Sequence, residues 1–539
     1  MKVKVFLSMM LGCAMSVMAQ GGYQDGVDYY KAGHYEDAKE ILEKTIGNPA
    51  TDQGIANYYL GAIALHNGDK TSALAFFDKG IAANPDCGLN YIGKGEIELS
   101  NGNKSAAEKL FNQGIKTNSK NGALYAEVAR AYFNINPVTY AKDITKYIEK
   151  ADKVAKFKEP AVFVLRGDIT TNNPGDAAGQ YETAIVTAQE AGLPVSPEAY
   201  VKYANVYFRV NPKFAINKLE ELNAAMPTSA LAQRELAEKY YDNNQLTMAA
   251  EQYAKYMNNP NHFQKDEQRF SGLLFFGKKY DQSLDIARKV LAKDPDNFYM
   301  QRMVMYNLEA LKRYEEALPA AEKFFKTAPA DKQNFKDYDT YGAILTALNR
   351  APEAVAVYEK AITLYPDKTE LLPALSSAYT DAEQHDKAAS TMQKFIEIGN
   401  PTTNDYYILA RRYMNYGLSL PEGSPERAAA ADEGIKAVDI AIAKAPSNGT
   451  LYRTKAQLFQ VKDGEPNAGA ADAYTEMMNA YDKAGQAAER TDAYKAAYMY
   501  LGMYYAKTQD MAKARDAYEK VLELDPTNDD LRNYLKTLK

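Results

Sequence analysis

The sequence contains no tryptophan, two cysteines, four histidines and, in 539 residues, only 22 prolines. Each scarcity excludes a class of protein. Two cysteines, Cys13 and Cys87, cannot make a disulfide framework, and no histidine stands beside Cys87 to activate it. His34, His66, His262 and His385 are far apart, and no H-E-x-x-H motif, Cys-x-x-Cys pair or Asp-rich calcium loop occurs. Neither a metal nor a cofactor is therefore expected. No glycine-rich phosphate loop opens a helix after a strand, and there is no G-x-S-x-G elbow. The 70 Asp and Glu residues are scattered along helical faces, where solvation is their ordinary role. Without a catalytic constellation, no enzyme activity is expected. A net charge of −6 also argues against a nucleic-acid backbone as ligand, which needs a basic face.

Beyond the first residues, no apolar run reaches the ~18 residues of a membrane-spanning helix. The first residues read as an export signal. Met1-Lys2-Val3-Lys4 is a short basic start, Val5 to Val17 is mostly apolar, and Val17-Met18-Ala19 offers a small-residue cleavage site before Gln20. The alternative is a lipoprotein signal in which Cys13, after Leu11-Gly12, becomes a lipidated N-terminus. Either way, export to the periplasm or to the periplasmic face of an outer membrane is expected.

The abundant features are 42 tyrosines, 46% hydrophobic and 25% charged residues. Such a composition folds, yet the chain is too long for one core, which stops growing near 250–300 residues. Self-comparison resolves this. Tyr338, Tyr341, Gly342, Leu345, Ala354, Tyr358, Ala361 and Pro366 follow one another at spacings that describe two amphipathic helices and a tight turn. The frame recurs in Leu60-Gly61, Gly68, Ala73, Phe77, Gly80 and Pro85. Stepped by 34 it gives Gly95, Gly102, Ala107, Phe111 and Gly114, and it ends in Tyr498, Leu501-Gly502, Tyr505, Ala514, Tyr518, Val521 and Pro526. Small residues sit where the helices cross, bulky rings fill the gap to the next unit, and proline stops the second helix.

Those positions resemble the tetratricopeptide repeat, with Tyr338 where that family usually has tryptophan. About 14 repeats cover nearly all the chain after the leader. The resemblance implies an all-α, right-handed solenoid whose first helices line a concave, partner-binding face. The expected organisation is a signal peptide (1–19), a regular block (20–133), an irregular and potentially hinging stretch (134–227), a second regular block (228–403), repeats with loop insertions (404–526) and a capping helix (527–539).

The family implication is a protein-interaction scaffold or adaptor of the cell envelope, taking a protein or peptide. Two other classes stay open: a peptide- or glycan-capturing accessory of an outer-membrane uptake or secretion system, and a holder of exported clients. A family variant that grips a C-terminal carboxylate is not supported, because Val201 stands where lysine is required, although Asn205 fits. Groove-facing steps of the first helices give the candidate contacts Arg130 and Phe133, Asn205 and Phe208, Arg234 and Tyr241, Tyr407 and Arg411, and Arg453 and Gln457. Arginine and aromatic residues are the types enriched at interface hot spots.

Overall fold

A computed structural model describes residues 21–538, and among them are 29 α-helices and no strand. The leader expected at residues 1–19, with Cys13, lies outside the described residues. The chain forms two compact units that part between Lys279 and Tyr280, inside the regular block 228–403.

The first unit begins with α1 (Gly21–Lys31), α2 (Tyr35–Thr45), α3 (Gln53–His66), α4 (Lys70–Ala83), α5 (Gly88–Ser100), α6 (Lys104–Thr117), α7 (Gly122–Ile135) and α8 (Ala141–Ala155). It continues with α9 (Pro160–Ile169), α10 (Pro174–Glu190), α11 (Pro197–Tyr207), α12 (Pro212–Ala225), α13 (Ala230–Asp242), α14 (Leu246–Met257) and α15 (Glu267–Phe276). The second unit holds α16 (Tyr280–Leu291), α17 (Phe298–Ala310), α18 (Tyr314–Thr327), α19 (Phe335–Ala347), α20 (Ala351–Leu364), α21 (Leu371–Asp381) and α22 (His385–Ile398). It ends with α23 (Thr403–Ser419), α24 (Pro425–Lys444), α25 (Gly449–Asp463), α26 (Ala468–Lys483), α27 (Thr491–Lys507), α28 (Met511–Leu524) and α29 (Asp529–Thr537). Odd-numbered helices are the first members of the sequence repeats and even-numbered helices the second, which matches the expected fourteen-unit series plus a cap.

The repeat pattern has a steric basis. A Cβ on Gly342 would lie 2.4 Å from the Tyr358 ring, and one on Gly502 the same distance from Tyr518. Both glycines sit inside helices, where glycine costs about 1 kcal/mol relative to alanine. The ring fills the space a methyl group would need, so close packing of the hairpin is kept at the expense of helix propensity. Gly342→Ala is therefore expected to destabilise its unit by roughly 1–3 kcal/mol. Gly179 lies within α10 with nothing within 4 Å of its would-be Cβ, so Gly179→Ala should stabilise by roughly 0.5–1 kcal/mol. Denaturant midpoints of the two variants check the opposite signs.

The tight turn inside most hairpins uses a left-handed residue. Gly33, Gly68 and Gly102 supply it early in the chain, while Lys312, Asn349 and Gln509 adopt φ values of 59°, 58° and 63° in the equivalent later turns. Helix ends follow the prolines: Asn84 closes α4 in an extended conformation immediately before Pro85.

The irregular stretch 134–227 is helical throughout its elements. Pro160, Pro174, Pro197 and Pro212 each occupy the first turn of a helix, where the missing N–H would have no intrahelical partner anyway. They start elements rather than interrupt them. The longer turn at Asn136 is closed by its side chain, which accepts hydrogen bonds from the backbone N–H groups of Val138 and Thr139. At the other insertion, Arg427 donates to the carbonyls of Val461 (2.9 Å) and Leu420 (3.3 Å), tying the loop before α24 to α25. At the C-terminal end, Leu531, Leu535 and Leu538 pack with Ala514, Tyr518 and Val521.

Candidate functional site

Within each unit the first helices of successive hairpins approach one another (α1 with α3, α3 with α5, α5 with α7, α23 with α25), as well as their own partners. They form the inner layer, and its exposed side is the surface a repeat protein offers to a partner.

In the first unit that layer is filled by the chain itself. Helix α1 packs against α11 and α13, more than 160 residues away in sequence. Arg234 of α13 donates from Nη1 to Asp37 Oδ2 (2.9 Å) and from Nε to Asp266 Oδ2 (2.7 Å). Lys265 also bonds Asp37, His34 Nε2 meets Glu235 Oε1 at 2.5 Å, and Asn261 donates to Asp25 at 2.8 Å. Tyr29 stands edge-on to Phe263 with ring centroids 5.3 Å apart. The Arg234, Asp37 and Asp266 side chains are only 12%, 7% and 10% exposed.

Behind this seam the first helices present a polar cluster. Arg130 Nη1 and Lys202 Nζ both hold Asp168 Oδ2, at 2.6 and 2.8 Å, and Tyr181 donates to the other carboxylate oxygen at 2.8 Å. Lys202 reaches Glu198 at 3.3 Å, Tyr58 donates to Glu127 at 2.6 Å, and Asn134 donates to Glu96 at 3.0 Å. Burial opposes ionisation of Asp168, but Arg130 and Lys202 outweigh it and hold the carboxyl below its usual range. Glu198 is lowered likewise, its burial offset by Lys202, Lys31 and Arg130. Asp28 and Glu96 make no ion pair among the described residues, and burial outweighs the nearby Lys31 and Arg130, pushing the two acids up to about 7 and about 8. Near neutral pH Glu96 holds its proton and Asp28 is partly protonated, so the cluster's cations Lys31, Arg130 and Lys202 chiefly face Asp168 and Glu198.

The expected contacts Arg130 and Arg234 are thus engaged in intramolecular pairs. Phe133 packs on the core of α7, Phe208 lies 5.4 Å below the Lys239 ammonium, and Tyr241 lies 4.5 Å below the Arg269 guanidinium. Asn205 is exposed. Sequence reasoning missed Asp37, Asp168, Lys202 and Asp266, since a charge on a helical face carries no signal until packing pairs it, one repeat away for Asp168, Lys202 and Asp266 and 197 residues away for Asp37 and Arg234.

The second unit differs. Helices α23 and α25 lie side by side, and Thr403, Asn404, Tyr407, Asn448, Thr450 and Leu451 line a shallow cavity of ≈ 310 Å³ between them. Arg411 follows Tyr407 by one turn, with its guanidinium 6.0 Å from that ring. Arg453 and Gln457 follow Thr450 on α25. Arg411 and Arg453 are exposed and make no ion pair among the described residues. Beside Arg411, the Arg412 Nε is buried without an acceptor, and burial lowers that guanidinium's pKa. On α27 the next inner positions are Met499 and Met503, the latter 45% exposed. Among the described residues no group of His, Cys, Asp or Glu could hold a metal ion, and no helix is long and apolar enough to cross a membrane.

Residues 23–87, 338–368 and 495–528 match sequence profiles of the tetratricopeptide repeat. No curated protein sequence matches the chain significantly. Among solved structures, the C-terminal part of a TPR repeat-containing protein from Cytophaga hutchinsonii is 20% identical, covering 49% of this chain and 98% of that one at a TM-score of 0.42. A tetratricopeptide repeat protein from Parabacteroides merdae is 11% identical, with coverages of 49% and 98% and a TM-score of 0.34. Yeast Tom70 is 13% identical, covers 97% of this chain and 99% of its own, and has a TM-score of 0.30. At these identities and scores the likenesses carry nothing about partner or activity.

Proposed function

Since the chain belongs to the tetratricopeptide-repeat proteins, whose fold is a protein-interaction scaffold, we propose that it is a non-enzymatic adaptor of the bacterial cell envelope. In this reading it takes an acidic segment of a partner protein along α23, α25 and α27. The observation that carries the proposal is the contrast between the two inner layers. In the first unit Arg130 and Arg234 are paired internally. In the second, Arg411 and Arg453 stand exposed without a counter-charge.

The groove-facing steps there are Asn404, Tyr407, Arg411 and Met414, then Thr450, Arg453, Gln457 and Gln460, then Ala496, Met499 and Met503. They include two cations and no carboxylate, although the whole chain is acidic. Arginine beside tyrosine and methionine suits a segment that mixes carboxylates with apolar side chains. Export rests on the basic-apolar-small pattern of residues 1–19.

The test is capture from native envelope extract by residues 20–539 after mild crosslinking, read by mass spectrometry. One or two stoichiometric envelope proteins are expected. Arg411→Glu with Arg453→Glu should cut their recovery at least tenfold, equivalent to about 1.4 kcal/mol. Undiminished recovery would remove the groove from the account. Many weak heterogeneous clients would replace the adaptor with a holder of exported chains.

A further inference from the structure

The insertion at residues 191–196, which breaks the repeat period between α10 and α11, is built into a cavity. With α9, α10 and α11 it encloses ≈ 240 Å³. The walls are apolar: Val164, Ala184, Ile185, Ala188, Leu193 and Val195. Leu193 and Val195, 48% and 37% exposed, form the mouth. A regular repeat would have no residues here, so the break in the ladder is what creates the space.

Three charged residues also line the cavity: Glu159, Glu198 and Lys31. Both carboxylates are already satisfied. Glu159 accepts from the Ala161 N–H at 3.3 Å as the cap of α9, and Glu198 is paired with Lys202. Lys31 arrives from α1 through the closure of the unit. Its ammonium has no ion pair and no hydrogen bond among the described residues, and Tyr59 and Glu198 raise its pKa above the usual lysine range. The Lys31 ammonium can donate to an acceptor that enters the cavity, whose wall is mostly hydrocarbon.

We propose that this cavity binds a small amphipathic carboxylate, a short aliphatic or aromatic acid, with its carboxylate on Lys31 and its apolar body against Val164, Ile185, Leu193 and Val195. The volume sets the size class. A cavity of ~150 Å³ holds benzene, and drug-sized ligands take ~300 Å³ or more. The fitting ligand is a ring or short chain with one acidic head. Neither the groove of the second unit nor the adaptor reading enters this argument.

The experiment titrates residues 20–539 with sodium hexanoate by calorimetry and by saturation-transfer NMR, with 1-hexanol and hexylamine as head-group controls. Hexanoate is expected to bind saturably and at least tenfold more tightly than either control. Lys31→Met should remove that preference while leaving hexanol binding unchanged. Ala188→Phe, which fills the cavity, should abolish binding of both, and circular dichroism at 222 nm reports whether each variant folds. The head-group comparison on the unmodified chain stands even where Lys31→Met fails to fold. Equal binding of the three probes would show a generic apolar hole and overturn the proposal, as would the absence of saturable hexanoate binding.

Discussion

Arg234→Met is expected to open the seam of the first unit and expose α1 and α2 to solvent exchange. The guanidinium bridges Asp37 and Asp266, and Tyr256 donates to Asp266 at 2.9 Å from inside the fold. Methionine matches the length of the arginine stem but leaves two buried carboxylates without their shared cation. Lys265 still reaches Asp37, yet Asp266 has no second cation paired with it among the described residues. Removing one partner of a buried pair typically costs 3–5 kcal/mol, far more than the pair itself contributes relative to apolar replacements. At about 1.4 kcal/mol per decade, amide exchange in α1 and α2 should accelerate by roughly two to three orders of magnitude where it proceeds through seam opening. Adding Asp37→Asn and Asp266→Asn should restore much of the loss, because the residual cost lies in the orphaned charges. A change of less than about tenfold in α1 exchange would mean that apolar contacts such as Tyr29 on Phe263 hold the closure and the ion pairs decorate it.

Stability of the same unit should fall as pH rises from about 5 to above 8. Asp28, Glu96 and Asp25 have folded pKa values raised to about 7, about 8 and about 6, in each case chiefly by burial. The folded chain then keeps protons that the unfolded chain has released. Stability is full below the unfolded values near 4 and declines as pH climbs through the folded ones. Asp168 and Glu198 act with the opposite sign. Their folded pKa values are lowered, so their contribution is present above the unfolded values and lost in acid. The two sets together give a maximum near pH 5. Asp28→Asn with Glu96→Gln should flatten the alkaline limb and stabilise the unit at pH 8.5 by on the order of 2 kcal/mol. Denaturant midpoints across pH, with exchange mapped to α1–α15, measure this. A profile that stays flat from pH 5 to 8.5 in the unmodified chain would show that water reaches Asp28 and Glu96.

The repeat architecture was readable because each of its positions has one steric job. Gly342 must admit the Tyr358 ring and Gly502 the Tyr518 ring, and Pro85 must follow the end of α4. Such local demands write themselves into the chain every 34 residues. The prolines of 134–227 were harder to interpret. The same residue ends a helix from outside and starts one from its first turn, and Pro174 and Pro197 do the latter. Tyr407, Arg411, Arg453 and Gln457 were accessible from the period, because helical spacing assigns a face. What the period did not carry was which arginines are free. Arg234 and Arg411 both lie on first helices, and tertiary packing pairs only Arg234, with Asp266 and, through the return of the chain's start to α13, with Asp37. Lys31 was invisible for the same reason: its cavity is assembled from α1, the α10–α11 insertion and four further helices.

In this proposal partners are taken by the open inner layer of the second unit, while that of the first is closed on itself. Hydrogen-exchange mass spectrometry of the full chain, alone and with its captured envelope partner, tests it most directly. The predicted result is new protection in α23, α25 and α27, with the exchange of α1–α13 unchanged. Protection concentrated on α1, α7, α11 and α13, with α23–α27 exchanging as in the free chain, would contradict it.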